Sequence, residues 1–160
     1  ATGAGRPYRL GIIANQPTWI RRRMEDWGLL PFFEPESIVI SDEVAVSKPR
    51  PEIFQFGLAQ AEVAAEDAVM VGNDYLNDIG PAKLLGFRTV WIEREDAYAP
   101  GAPPVEDPWA ADERVRELAE VPAALARLAA RGVGEDAARR NGRARERARM
   151  GRGPGVRRAG

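Results

Sequence analysis

Three short segments of this chain carry residue types able to do chemistry. They are Ala14-Asn15-Gln16, Ser47-Lys48-Pro49, and Gly72-Asn73-Asp74 running on to Asn77-Asp78. Each follows a hydrophobic run, as expected where a buried parallel strand ends. Together they offer side-chain amides, one lysine and two carboxylates. A lysine ammonium is a compact charge suited to a transferring phosphate. Oxygen donors alone suit Mg²⁺, which keeps several waters and takes one or two carboxylates. The chemistry implied is the holding of a phosphoryl group beside a divalent cation.

Each residue has a simpler alternative. Asn15, at a strand end, can donate its amide to a phosphoryl oxygen, or it can form an Asx turn or a cap before Pro17. Lys48 sits between Pro49-Arg50-Pro51 and Val46-Ser47, so it is either a fixed phosphate ligand or a solvated loop lysine. Asp74 and Asp78, with Asn73 beside them, read as a metal site or as acids stabilising a helix start. The spacing of strand, Gly, Asn-Asp, two residues, Asn-Asp and helix is more specific than capping requires, and it favours the metal. Lys48 and Lys83 are the only lysines among 23 basic residues, which singles out Lys48 for a chemical explanation.

Composition narrows the chemistry further. Histidine and cysteine are both absent. This excludes histidine general bases, Ser-His triads, thiolate nucleophiles and disulfides. Catalysis must use carboxylates, lysine, hydroxyls or a hard metal. The chain has 160 residues, enough for one domain with a real core. No apolar run reaches membrane-spanning length and no leader pattern is visible, so a cytoplasmic location is expected. The net charge of −1 hides an asymmetry: residues 1–130 carry 13 − 21 = −8, and residues 131–160 carry 10 − 3 = +7.

Elements that position these segments can be read from periodicity. Arg9 to Ala14, Ser37 to Ser41, Ala68 to Gly72 and Arg88 to Ile92 read as strands, with a short final strand over Val115 to Leu118. A helix is predicted from Pro17 to about Leu30, with Trp19 and Trp27 in packing roles and Arg21-Arg22-Arg23 as a solvated face. Pro51 opens a second helix with Ile53, Phe54, Leu58 and Ala61 inward. A third covers Asp78 to Leu85, with Gly86 as its C-terminal cap, and a fourth covers Val121 to Ala130. Strands alternating with helices predict an α/β fold, a three-layer Rossmann-like parallel sheet. In such sheets, ligands bind beyond the carboxyl ends of the strands, where all three segments lie. Residues 1–131 are expected to form the core. Residues 132–160 are expected to be an Arg/Gly/Ala-rich tail, exposed and disordered toward its end.

In this order the segments resemble the haloacid dehalogenase-like (HAD) hydrolase superfamily. LGIIANQ resembles its second motif, VSKPRPEIF its third, and VGNDYLNDIGPAKLLGFRTVWI its fourth with the following helix and strand. The resemblance covers about Tyr8 to Arg131 and implies Mg²⁺-dependent phosphoryl transfer through a phospho-aspartate. It makes Lys48 catalytic and, with Asn15, phosphate-binding. It places Asp78 in the metal shell, with Asp74 or Asn73 as the other fourth-motif position. Two departures stand out. Ala14 replaces the usual Ser or Thr of the second motif, and the D-x-D nucleophile motif with its strand is not found, since Ala1 to Pro7 contains no acid. The family's strand order is 3-2-1-4-5, so the first central strand is missing. Either the strands after Arg9 and Ala68 pair directly, or another segment fills the slot.

The resulting expectation is a phosphatase acting on a small phosphorylated metabolite, inactive as this chain stands. A phosphatase is preferred to a dehalogenase because the Asp74/Asp78 pair suits a metal that dehalogenation does not need. The chain is expected to be the C-terminal part of a longer protein, with a missing N-terminal segment or a second copy as partner. The alternative is a non-catalytic scaffold whose basic tail contacts an anionic partner. Nucleic acid is disfavoured, because the tail lacks aromatic residues for base stacking.

Overall fold

The structure, a computed structural model, describes residues 8–93 and 111–132. The expected tail and most of the acid-rich loop after Ile92 lie outside them. Five strands are described: β1 (Ile12–Ala14), β2 (Ile38–Ile40), β3 (Val69–Gly72), β4 (Arg88–Ile92) and β5 (Glu113–Val115). The helices are α1 (Ile20–Asp26), α2 (Ser41–Val44), α3 (Pro51–Ala61), α4 (Gly80–Leu84) and α5 (121–132). Every strand pair is parallel. The expected α/β class with crossover helices is what forms.

The sheet is in two pieces. β1 pairs with β2 with Ile12 opposite Ile38, and β3, β4 and β5 form a separate three-stranded ladder. Direct pairing of β1 with β3, one of the two arrangements open from the sequence, does not occur among the described residues. Burial follows the break. All three residues of β2 are buried, as are Thr89, Val90 and Trp91 of β4, whereas every residue of β1 and β3 is only half-buried. An interior strand would be the most enclosed in the sheet. Here the two strands flanking the break are the less enclosed ones, and each has one edge without a ladder partner among the described residues.

The core bridges the break from one face. Ile53 and Phe54 of α3 are fully buried and pack with Val39, Ala82 and Phe87, and with Ile13 of β1 and Met70 of β3 at the margin. Phe54 meets Phe87 edge-on at 6.1 Å between ring centroids. Pro51 opens α3 at its first position, where the missing N–H is harmless. Burying each large apolar side chain in this cluster contributes ~1.5–3 kcal/mol. A second cluster places Val121, Ala124 and Leu128 of α5 on Val90 and Val115. A third joins Met24 to Ile38 and Ile40.

Several sequence expectations need correction. α1 begins at Ile20 rather than Pro17, because Pro17 to Trp19 form a turn closed by the Ile20 N–H to the Pro17 carbonyl. The shortened helix buries only Met24, with Ile20 beside it, and leaves Trp19 and Trp27 exposed at its two ends, at 59% and 61%. Arg21 is not part of a solvated face: it forms an ion pair with Glu43 at 2.6 Å and donates to the Ile38 carbonyl. Ser41 does not end a strand but begins α2, whose Asp42 and Glu43 hold Thr18 and Arg21. The last strand is Glu113–Val115, shifted toward the N-terminus, where buried Glu113 accepts from Arg127 and Arg131 of α5.

Candidate active site

The carboxyl ends of β1 and β3, together with the loop after α2, bring the singled-out residues together. Lys48 is the centre. Its Nζ lies 2.6 Å from Asp78 Oδ1, and the two side chains are only 12% and 8% exposed. The distance is that of a strong charge-assisted hydrogen bond. Asp78 Oδ2 accepts the Asp74 backbone N–H at 3.2 Å. The Asp78 carboxylate is therefore satisfied on both oxygens.

The chain delivers Asp78 there by a wide turn. Asp74 precedes a π-helical turn, Tyr75–Ile79, in which the Gly80 N–H reaches back to the Tyr75 carbonyl. Such i→i+5 turns occur mostly as single-turn bulges and are frequent at functional sites. The turn lays Asp78 directly over Gly72 at the end of β3. A Cβ built on Gly72 would stand 2.4 Å from Asp78 Oδ2 and 2.5 Å from Asp78 Cβ. The backbone there is not left-handed, so glycine is required at Gly72 for space. Gly86, with φ of +95°, shows the other use of glycine, ending α4.

Asp74 and Asp78 divide the two readings the sequence left open. Asp74 caps the turn: Oδ1 accepts from the N–H groups of Leu76 and Asn77, and Oδ2 from the Asn77 side-chain amide at 2.6 Å. Burial works against its ionised form, but the Asn77 amide, the two backbone N–H groups and the Lys48 charge outweigh this and hold the carboxyl below its ordinary pKa. Asp78 splits its two oxygens, Oδ2 taking the Asp74 N–H at the head of the same turn and Oδ1 facing Lys48. Asn73 is exposed, and its carbonyl accepts from the indole N–H of Trp91 at 3.2 Å, which fixes the loop to β4.

Asn15 adopts neither a cap nor an Asx turn. Its Nδ2 donates to the Lys48 carbonyl at 2.9 Å and its Oδ1 accepts the Lys48 N–H at 2.8 Å. One hydrogen of Nδ2 is left for another acceptor. The side chains of Asn15, Lys48 and Asp78 therefore form a continuous chain from the end of β1 to the end of β3.

Fit to a cation can be judged from the donors. Asp74 and Asp78 supply carboxylate oxygens from one loop and Asn73 an amide oxygen, the hard donor chemistry that Mg²⁺ takes. Among the described residues no group of three or more acidic side chains accompanies them. Both oxygens of Asp74 and of Asp78 already accept hydrogen bonds, so the donor types suit Mg²⁺ while Asp78 would meet it only as Lys48 gives way. Among the same residues, no helix is long and apolar enough to cross a membrane.

The profile of the haloacid dehalogenase-like hydrolases matches residues 5–92. The chain belongs to this family. As a HAD-like protein it is 37% identical over 118 residues to a phosphoserine phosphatase of Thermus thermophilus, a match covering 72% of this chain and 44% of that one. It is 40% identical over 92 residues to a glyceraldehyde 3-phosphate phosphatase of Pyrococcus abyssi, covering 54% and 36%. Its fold matches the crystal structure of a HAD phosphatase from Thermococcus onnurineus with a TM-score of 0.62 and 32% identity, covering 74% of this chain and 50% of that one. The HAD-like chain thus spans less than half the length of these two curated relatives.

Sequence reasoning placed Gly72 in the motif but missed its role in making room for Asp78, and it missed Trp91 as an anchor for Asn73. A glycine closing a strand just before two acids is a usable signal for close approach. Trp91 gave no signal, since its indole N–H partner lies 18 residues away on another element.

Proposed function

We propose that this chain forms the phosphate- and metal-binding part of a phosphatase site acting on a small phosphorylated metabolite. The observation that carries the reading is the enclosed Lys48–Asp78 pair where the half-buried ends of β1 and β3 converge. The activities of the related phosphoserine and glyceraldehyde 3-phosphate phosphatases support a phosphomonoester substrate. In this reading Lys48 turns its ammonium to the phosphoryl oxygens, and the remaining N–H of Asn15 donates to one of them. Asp78, with Asp74 or Asn73, holds Mg²⁺, which when bound neutralises phosphoryl charge and polarises the P–O bond.

In this reading the attacking group would be an aspartate carboxylate supplied by a segment that enters the slot between β1 and β3. Its carboxylate oxygen forms a bond to phosphorus as the bond to the alcohol oxygen breaks and the alcohol takes a proton. Water then attacks phosphorus, releasing inorganic phosphate and restoring the carboxylate. The 160-residue chain by itself is inactive in this scheme.

Hydrolysis of p-nitrophenyl phosphate with and without MgCl₂ tests the reading, using this chain as it stands and extended upstream by an aspartate-bearing segment. Activity is expected only in the extended protein, only with Mg²⁺, and reduced about 10²–10³-fold by Lys48→Ala, the loss typical of removing one transition-state donor. Turnover by the 160-residue chain alone, or full activity in the Lys48→Ala protein, refutes it.

A further inference from the structure

We propose that Asn15 is a positioning residue for Lys48 that acts through the Lys48 main chain. The proposal concerns the ion pair itself and stands whether or not the site transfers phosphate.

The Asn15 side-chain amide makes a two-bond match to one peptide segment. It accepts the Lys48 N–H at 2.8 Å and donates to the Lys48 carbonyl at 2.9 Å. A neighbouring β-strand would satisfy a residue in the same way, so a side chain here performs the task of a strand. The residue it grips is 33 positions away. That residue carries the ammonium lying 2.6 Å from Asp78 Oδ1. Pro49 follows immediately and has no N–H to give, while Arg50 N–H bonds back within the loop to Ser47. The main chain of Lys48 is thus tied to β1 by Asn15, and its side chain to the end of β3 by Asp78. No ladder joins β1 to β3 among the described residues, so this chain of contacts spans the break at its functional end.

Only an amide satisfies both Lys48 groups. Aspartate has the same shape and keeps the acceptor for the N–H, but it sets a second oxygen against the Lys48 carbonyl. Alanine removes both bonds. Glutamine keeps donor and acceptor on a longer arm.

The lysine content makes the test clean, because Lys48 and Lys83 are the only two lysines. Lys83 is paired with Asp112 on the far side of β4 and serves as an internal control. The wild-type chain and its Asn15→Ala, Asn15→Asp and Asn15→Gln variants are treated with an N-hydroxysuccinimide ester of acetic acid. Acetylation rates of both lysines are read by peptide mass spectrometry. In parallel, lysine-selective ¹³Cε labelling gives one NMR signal for each lysine. Acetylation of Lys48 is expected to rise about tenfold in the Ala and Asp variants, equivalent to ~1.4 kcal/mol of lost restraint. The Lys48 ¹³Cε signal moves and both Lys83 readouts stay at wild-type values. The Gln variant falls between these variants and wild type. Unchanged Lys48 rates and signals in the Ala and Asp variants overturn the proposal. Equal increases at Lys48 and Lys83 overturn it too, because they report general loosening.

Discussion

Gly72→Ala offers the sharpest test of how the site is built. The added Cβ would lie 2.5 Å from Asp78 Cβ, an atom close to its own backbone that cannot rotate away. Reaching an ordinary 3.4 Å contact requires a retreat of 3.4 − 2.5 = 0.9 Å. The Lys48–Asp78 contact is 2.6 Å, and a displacement of that size carries it beyond the ~2.7–2.9 Å range of a charged hydrogen bond. Two costs follow. Overpacking of this kind costs ~1–3 kcal/mol. Loss of a buried pair costs up to ~3–5 kcal/mol, of which a lengthened rather than deleted partner incurs only part. About 2–4 kcal/mol of destabilisation is expected, against a total of ~5–15 kcal/mol for a domain. Gly80→Ala is the matched control, since its Cβ would stand 3.4 Å from the Tyr75 carbonyl, which is tolerable, and alanine favours the helix by ~0.5–1 kcal/mol. Urea unfolding at a constant slope measures both. A Gly72→Ala protein within ~0.5 kcal/mol of wild type, with the Lys48 ¹³Cε signal unmoved, refutes the claim that Gly72 makes room for Asp78.

Four further outcomes are expected. Asp78→Asn leaves the enclosed Lys48 ammonium without its counter-charge and should destabilise by about 3 kcal/mol. The Lys48→Met/Asp78→Asn double variant should be less destabilised than Asp78→Asn alone in a urea-based double-mutant cycle. Phe54→Ala, at a fully buried position against Phe87, should cost ~3–5 kcal/mol, and thermal unfolding checks it. Asp112 gives a pH dependence. Burial opposes its ionised form, but Lys83 and the Thr89 N–H and hydroxyl prevail and hold its pKa below the ordinary value. A depressed folded-state pKa contributes stability above the unfolded value of ~3.9 that disappears as pH falls through the folded one. Asp112→Asn should therefore be less stable at pH 7 and show a shallower loss of stability on acidification below pH ~4. Equal acid limbs for the two proteins would count against this.

The sequence made strands and helices legible where one local pattern sufficed. RTVWI, AVMVG and the Pro51 helix lie where periodicity and capping place them, because burial of adjacent apolar residues decides them. It failed where a partner from another element decides the outcome. Ser41 looked like the end of a strand, yet Thr18 and Arg21 draw Asp42 and Glu43 into a helical turn. Trp19 and Trp27 looked like packing residues, but the Ile20–Met24 stripe occupies the face toward Ile38 and Ile40 and leaves both rings outside.

The site shows the same division, and its split sheet explains why. Residue types at a strand end indicate that an amide, an ammonium or a carboxylate will be present, but not which bonds it makes. Asp74 and Asp78 are four residues apart in one motif, yet Asp74 serves only its own turn while Asp78 shares itself between that turn and Lys48. The wide turn and the bare Cα of Gly72 make the difference. The Asp74 carboxylate folds back on the amides of Leu76 and Asn77, while Asp78 is laid over β3 toward the break. In an unbroken sheet, ladder bonds would fix the spacing between the ends of neighbouring strands. Here no ladder joins β1 to β3 among the described residues, and two neutral hydrogen bonds with Asn15 and one ion pair do so at the functional end. Neutral bonds contribute ~1 kcal/mol each and the enclosed charged pair more. At that end the spacing of the two strands rests on the side chains proposed to handle the substrate, beside the α3 core that joins Ile13 and Met70. Any segment entering the slot, or any phosphate drawing Lys48 away from Asp78, acts directly on the link that holds the two halves in register.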